Sequence, residues 1–223
     1  MLMKPREILL LSIVGICLIG SAIGWFLSRG SDAYAAQSAR QMQQWGIALN
    51  LYLIDNQNQL PETGITPVTA SQSLAWYNAL PPYIGQTSLA ELPPGSRPKP
   101  GVDSLWIVPG QKKPRSWDPE VFCFNYAMNQ FLQPDPEARS FRIYEIDFPQ
   151  NVVFLTEVDG YEPTTNPDLV NYRFGAGGQS PRAIANVLFC DGHVQPVSRA
   201  QLSDNPASRL AATAKDGVSW FEK

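Results

Sequence analysis

From Ile8 to Leu27 the chain runs for twenty residues without a charge, and no other feature narrows its structural options as far. An α-helix rises ~1.5 Å per residue, so a run of this length spans ~30 Å, the hydrocarbon thickness of a bilayer. Lys4 and Arg6 precede it, with Glu7 opposing them, and a positive flank of this kind belongs on the cytoplasmic side. Trp25 and Phe26 lie at the far end, where aromatic rings favour the membrane interface. The expectation is a single-pass protein of the inner (cytoplasmic) membrane. Residues 1–7 would be cytoplasmic, 8–27 transmembrane, and the remainder periplasmic. A cleavable signal peptide is the competing reading, because Ala33-Tyr34-Ala35 has the small-x-small form of a cleavage site. Against it, the apolar run exceeds the ~7–15 residues of a signal core, and the site lies well past its end. Both readings export the C-terminal part.

No proline follows the span until Pro61. Ala39, Met42, Trp45, Ala48 or Leu49, and Tyr52 or Leu53 recur at helical spacing, while Gln37, Arg40, Gln41, Gln44 and Asn50 fill much of the other face. Residues 28–59 therefore read as an amphipathic continuation of the helix. The polar run Asp55-Asn56-Gln57-Asn58 and then Pro61 should stop it. If helix also bridges Ser28 to Asp32, the rod from Ile8 to Gln57 is ~75 Å long. Gly46 costs such a helix ~1 kcal/mol relative to alanine without ending it.

Residues 60–203 are long enough for one core, and residues 204–223 read as a tail. Of the chain's 20 prolines many fall between Leu60 and Pro136, which predicts short elements and loops. Strands are expected at 104–108, at 141–148 (apolar and charged residues alternating), at 151–158 (β-branched and aromatic), and at 186–190 paired with 193–197. The last two flank Asp191-Gly192, a dipeptide suited to a type I′ hairpin turn, and Pro196 places the second of them at a sheet edge. Residues 118–132 fit either a helix or a strand followed by a turn. The class is α+β: one long helix packed on a small antiparallel sheet.

Chemistry is sparse. The net charge is -3, and the densest basic cluster, Lys112, Lys113 and Arg115, is short and reads as a solvated loop, so nucleic acid is not an expected partner. His193 is the single histidine, and its neighbour Asp191 is explained by the turn. No HExxH, GxSxG or P-loop pattern occurs. Gly175-Ala176-Gly177-Gly178 reads as a flexible connection. The expectation is a protein that is not an enzyme and carries no cofactor. One metal option is calcium at the oxygen-rich segment holding Glu157, Asp159, Glu162 and Asp168. Cys123 and Cys190 could pair in an oxidising compartment or stay as two buried thiols.

The order of these features resembles the type IV pilins and type II secretion pseudopilins, in the prepilin-type form found in Planctomycetes and Verrucomicrobia. The residues that carry the resemblance are Met42 to Tyr52 running into Asp55-Asn56-Gln57 and Leu60-Pro61, Asn125-Tyr126-Ala127-Met128-Asn129, Pro149 to Glu157, and most specifically Asn186-Val187-Leu188-Phe189-Cys190-Asp191-Gly192-His193-Val194. The resemblance implies a pilin-like fold and a membrane-anchored structural protein of the cell envelope, linked to type II secretion or type IV pili. Its implied partners are the membrane and other pilin-like or secretion-system subunits. Met42, Trp45, Leu49, Tyr52, Asp191 and Gly192 would be its structural residues. Two departures stand out. The cleavage glycine and the glutamate within the apolar run are missing, so prepilin processing is not carried over. Phe174 occupies the place of a histidine upstream of the Asp-Gly turn. The alternative reading is a membrane-tethered binding module whose proline-rich loops, Pro81 to Pro119, face a ligand.

Overall fold

Helix α1 occupies residues 33–55 of the computed structural model, which describes residues 33–65, 68–102, 104–111, 124–133, 139–160, 162–175, 180–203 and 220. The expected span 8–27, the basic cluster 112–115, Cys123 and most of the tail 204–223 lie outside these residues. Among the described residues no helix is long and apolar enough to cross a membrane. α1 ends in a Schellman arrangement. The N–H of Asn58 reaches the carbonyl of Leu53 at 2.8 Å, and Gln57 takes the left-handed conformation (φ 55°) usually given to glycine.

The chain is mixed helix and sheet, an α+β arrangement. The strands among the described residues are six: β1 (Phe124–Asn129), β2 (Val153–Gly160), β3 (Thr164–Thr165), β4 (Phe174–Gly175), β5 (Ala183–Phe189) and β6 (Val194–Ser198). β1 pairs antiparallel with β2, β2 with β5, and β5 with both β4 and β6. β1 and β3 run parallel over Met128–Thr164 and Asn129–Thr165, so the sheet is mixed rather than purely antiparallel. Ile184 pairs with Phe174 and also with Ser198. β4 and β6 therefore occupy opposite edges of β5, and β4 shares the edge used by β2. The last β2–β5 pair is Thr156–Val187. Beyond it Val158 bridges Val170, so the 170–175 segment fills a wedge where β2 and β5 part.

β5 shows why the sheet sits where it does. Ala183, Ala185, Val187 and Phe189 enter one buried cluster with Val153, Val197, Leu202 and Trp220. Ile184, Leu188 and Cys190 enter the other, with α1. This is the two-residue period of a strand, but both faces are covered, so β1 and most of β2 are buried throughout. Trp220, within the segment expected to be a tail, is fully buried against the face away from α1. Two short helices, α2 (Trp76–Ala79) and α3 (Arg199–Ser203), complete the cover.

Two local expectations are corrected and one ambiguity is resolved. Residues 104–108 form a turn closed by a Ser104–Ile107 bridge, not a strand. Residues 141–148 are not a strand either; Ile143–Glu145 is a 3₁₀ turn. Glu145 accepts from the N–H of Arg142 at 2.8 Å and takes both guanidinium arms of Arg139 at 2.6 and 2.8 Å. This local fork outcompetes a ladder, and Tyr144 stands 63% exposed where alternation would bury an aromatic. The 118–132 ambiguity falls to the strand over its described part, β1 followed by the 3₁₀ turn Gln130–Leu132.

Candidate functional site

α1 carries two different faces. Met42, Trp45, Leu49 and Tyr52 are buried and, at steps of three and four, form one stripe against the sheet. Trp45 meets Trp76 edge-on at 5.5 Å between centroids and Trp106 at 4.9 Å. The opposite face is not wholly polar. Ile47, Leu51 and Ile54 are 55, 42 and 76% exposed, and their spacing sets them in a second line along the helix.

The stripe continues one step toward the N-terminus as Ser38, and here the interface changes from apolar to polar. Ser38, fully buried, donates its hydroxyl to Glu157 Oε1 at 2.5 Å and lies 3.1 Å from the Tyr126 hydroxyl. Tyr126 donates to Gln41 Oε1 at 2.7 Å, and Gln41 donates to the Ser104 carbonyl at 2.8 Å. Asn186 of β5 donates to Glu157 Oε1 at 3.1 Å and to the Ala35 carbonyl at 3.0 Å. Helix and three strands thus meet at one carboxyl. Glu157 has no exposed surface, and its Oε2 has no hydrogen-bond partner among the described residues. Removing a carboxylate from water opposes ionisation. Burial accordingly pushes the Glu157 carboxyl up to about 7, against the pull of Ser38, Arg173 and Asn186. Tyr126 is pushed above the ordinary phenol range, by burial first and by Glu157 second.

The third feature is the β5–β6 hairpin. Its loop is three residues, Cys190-Asp191-Gly192, rather than a two-residue type I′ turn. Phe189 and His193 close it, the Phe189 N–H donating to the His193 carbonyl at 2.9 Å, and Gly192 alone has positive φ (89°). A turn followed by a left-handed glycine is the usual three-residue solution. Asp191 Oδ1 accepts from the His193 N–H at 3.1 Å and lies 2.6 Å from His193 Nδ1. The imidazole stacks on Phe189 at 4.4 Å. Both residues are engaged in shaping the turn. The turn is pressed onto α1: a Cβ added to Gly46 would stand 2.4 Å from the Gly192 carbonyl oxygen.

The four carboxylates considered for calcium are not drawn together. Glu157 turns into the α1 interface, while Asp159 accepts from Gln111 at 2.8 Å. Among the described residues no group of three or more His, Cys, Asp or Glu side chains could hold a metal ion. Cys190 is a buried free thiol. In the proline-rich stretch Leu89, Pro98 and Pro100 are buried, while Pro82, Glu91, Pro93 and Val102 are exposed, so it is laid onto the core at points along its length. As site residues, Ser38, Gln41, Tyr126 and Asn186 escaped the sequence reading. Ser38 lies in phase with the Met42 stripe, and Glu157 interrupts an apolar strand; polar residues at core phase were the available signal. The chain matches no protein-family model, no curated protein and no solved structure.

Proposed function

We propose that the chain is a membrane-tethered structural subunit of the pilin or pseudopilin type, acting by assembly in the cell envelope. Support begins with the uncharged run Ile8–Leu27, which lies in sequence just ahead of α1. The observation that carries the reading is the second apolar line on α1. A helix whose partner was the sheet alone would turn charged and polar groups outward; this one presents Ile47, Leu51 and Ile54. A neighbouring apolar helix from another pilin-like subunit fits such a line, and Arg40, Gln43 and Gln44 give it a polar start.

The test is the full chain carrying Ile47→Asp with Ile54→Asp, extracted in mild detergent. Loss of self-association, or of co-purifying pilin-like subunits, with an unchanged melting temperature supports assembly through this face. Wild-type association in the double variant would reject it. Both positions are exposed, so the fold should tolerate the change within about 0.5 kcal/mol.

A further inference from the structure

The hold of the sheet on α1 is divided along the helix. From Met42 to Leu53 it is apolar, through Met42, Trp45, Ala48, Leu49, Tyr52 and Leu53. From Ala35 to Gln41 the described hydrogen bonds to the sheet converge around Glu157, through Ser38, Asn186 and Tyr126. The first part is indifferent to protons. The second has a titratable group at its centre, wholly buried, with one carboxyl oxygen unpartnered among the described residues.

We propose that Glu157 is a proton-operated latch: while its carboxyl is protonated the first turns of α1 are held to the sheet, and ionisation releases them while the Met42–Leu53 stripe stays docked. The proton passes to bulk water, and the carboxylate gains the solvation that its buried position denies it. Opening at the Ser38 end is the shortest route to that solvation, since α1 there contributes Ser38 and Gln41, and its one large side chain, Tyr34, is 47% exposed where it lies over Gly110.

The groups facing the carboxyl support this direction. α1 presents Ser38 and Gln41, and β5 presents Asn186, none of which ionises in the working range. Tyr126 from β1 stays neutral because burial and Glu157 both raise it. Arg173 favours the carboxylate through space, but its guanidinium donates to the Val158 carbonyl and Gln111 Oε1. The balance leaves the latched carboxyl titrating at about 7 rather than its ordinary 4.5. The latch is independent of the assembly role proposed above.

Amide hydrogen exchange on the full chain in detergent tests it, with rates corrected for intrinsic pH dependence. As pH rises from 4.5 to about 7, protection of residues 35–41 should fall by on the order of a hundredfold and then level off. Protection of β5, which is lost only on global unfolding, should remain well above that of residues 35–41 at every pH. In Glu157→Gln the 35–41 profile should be flat. Ser38→Ala, which removes a bond favouring the carboxylate, should move the wild-type midpoint upward. A flat wild-type profile overturns the latch without any variant, and so does exchange of residues 35–41 at the same protection as β5, or a glutamine variant that keeps the wild-type profile.

Discussion

Replacing Gly46 with alanine tests how closely α1 rests on the β5–β6 hairpin, because helix propensity and packing predict opposite signs. In an exposed helix interior the change stabilises by ~1 kcal/mol. Here the new methyl would stand 2.4 Å from the Gly192 carbonyl oxygen and 3.1 Å from Leu188 Cδ1. The nearer atom is backbone and must retreat by about 1 Å to reach ordinary contact. The approach is as close from the hairpin's side, where a Cβ at Gly192 would lie 2.3 Å from Asn50 Nδ2 of α1. Overpacking of this kind costs ~1–3 kcal/mol, and a clash with backbone belongs at the upper end. After subtracting the propensity gain, Gly46→Ala should destabilise by about 2 kcal/mol. Denaturant unfolding followed by tryptophan fluorescence reads this as a lower midpoint at constant slope. Gly95→Ala is the control, with open space around the new methyl and no positive φ; it should change stability by less than about 0.5 kcal/mol. If Gly46→Ala is as stable as wild type or more so, the close approach is wrong.

Three further outcomes are expected. Trp45→Ala should cost ~3–5 kcal/mol in the same unfolding assay, because a fully buried indole that contacts Trp76 and Trp106 leaves a large cavity. Glu157 has a carboxyl raised on folding from 4.5 to about 7, so the native state binds the proton more tightly and stability falls as pH rises through this window. Relative to wild type, Glu157→Gln should gain up to about 3 kcal/mol between pH 4.5 and 7 and nothing further above it, measured as the difference between two denaturation series. Cys190 is buried and its thiol is pushed well above the ordinary range by burial and Asp191. N-ethylmaleimide should leave it unmodified in the folded protein and label it after denaturation, as read by peptide mass mapping.

The features legible in the sequence are those written in local pattern. The Met42–Trp45–Leu49–Tyr52 stripe, strand β2 and the β5–β6 hairpin are each legible because a period of 3.6 or 2 records which face meets the core. The proline at 196 records an edge for a similar reason: β6 pairs with β5 alone among the described strands. Residues 141–148 misled because their alternation was real but had no ladder to serve once Arg139 and Glu145 closed a fork.

What the sequence determined by itself is an amphipathic helix, a buried strand and a hairpin, together with the uncharged run whose length suits a bilayer. What only the tertiary structure decided is what those pieces press against. Gly46 reads as a weak point in a helix until the hairpin is laid across it. Glu157 reads as one of four loop carboxylates until β2 turns it beneath Ser38. Both depend on contacts between residues more than a hundred positions apart, and no local periodicity encodes which distant surface will remove a group from water.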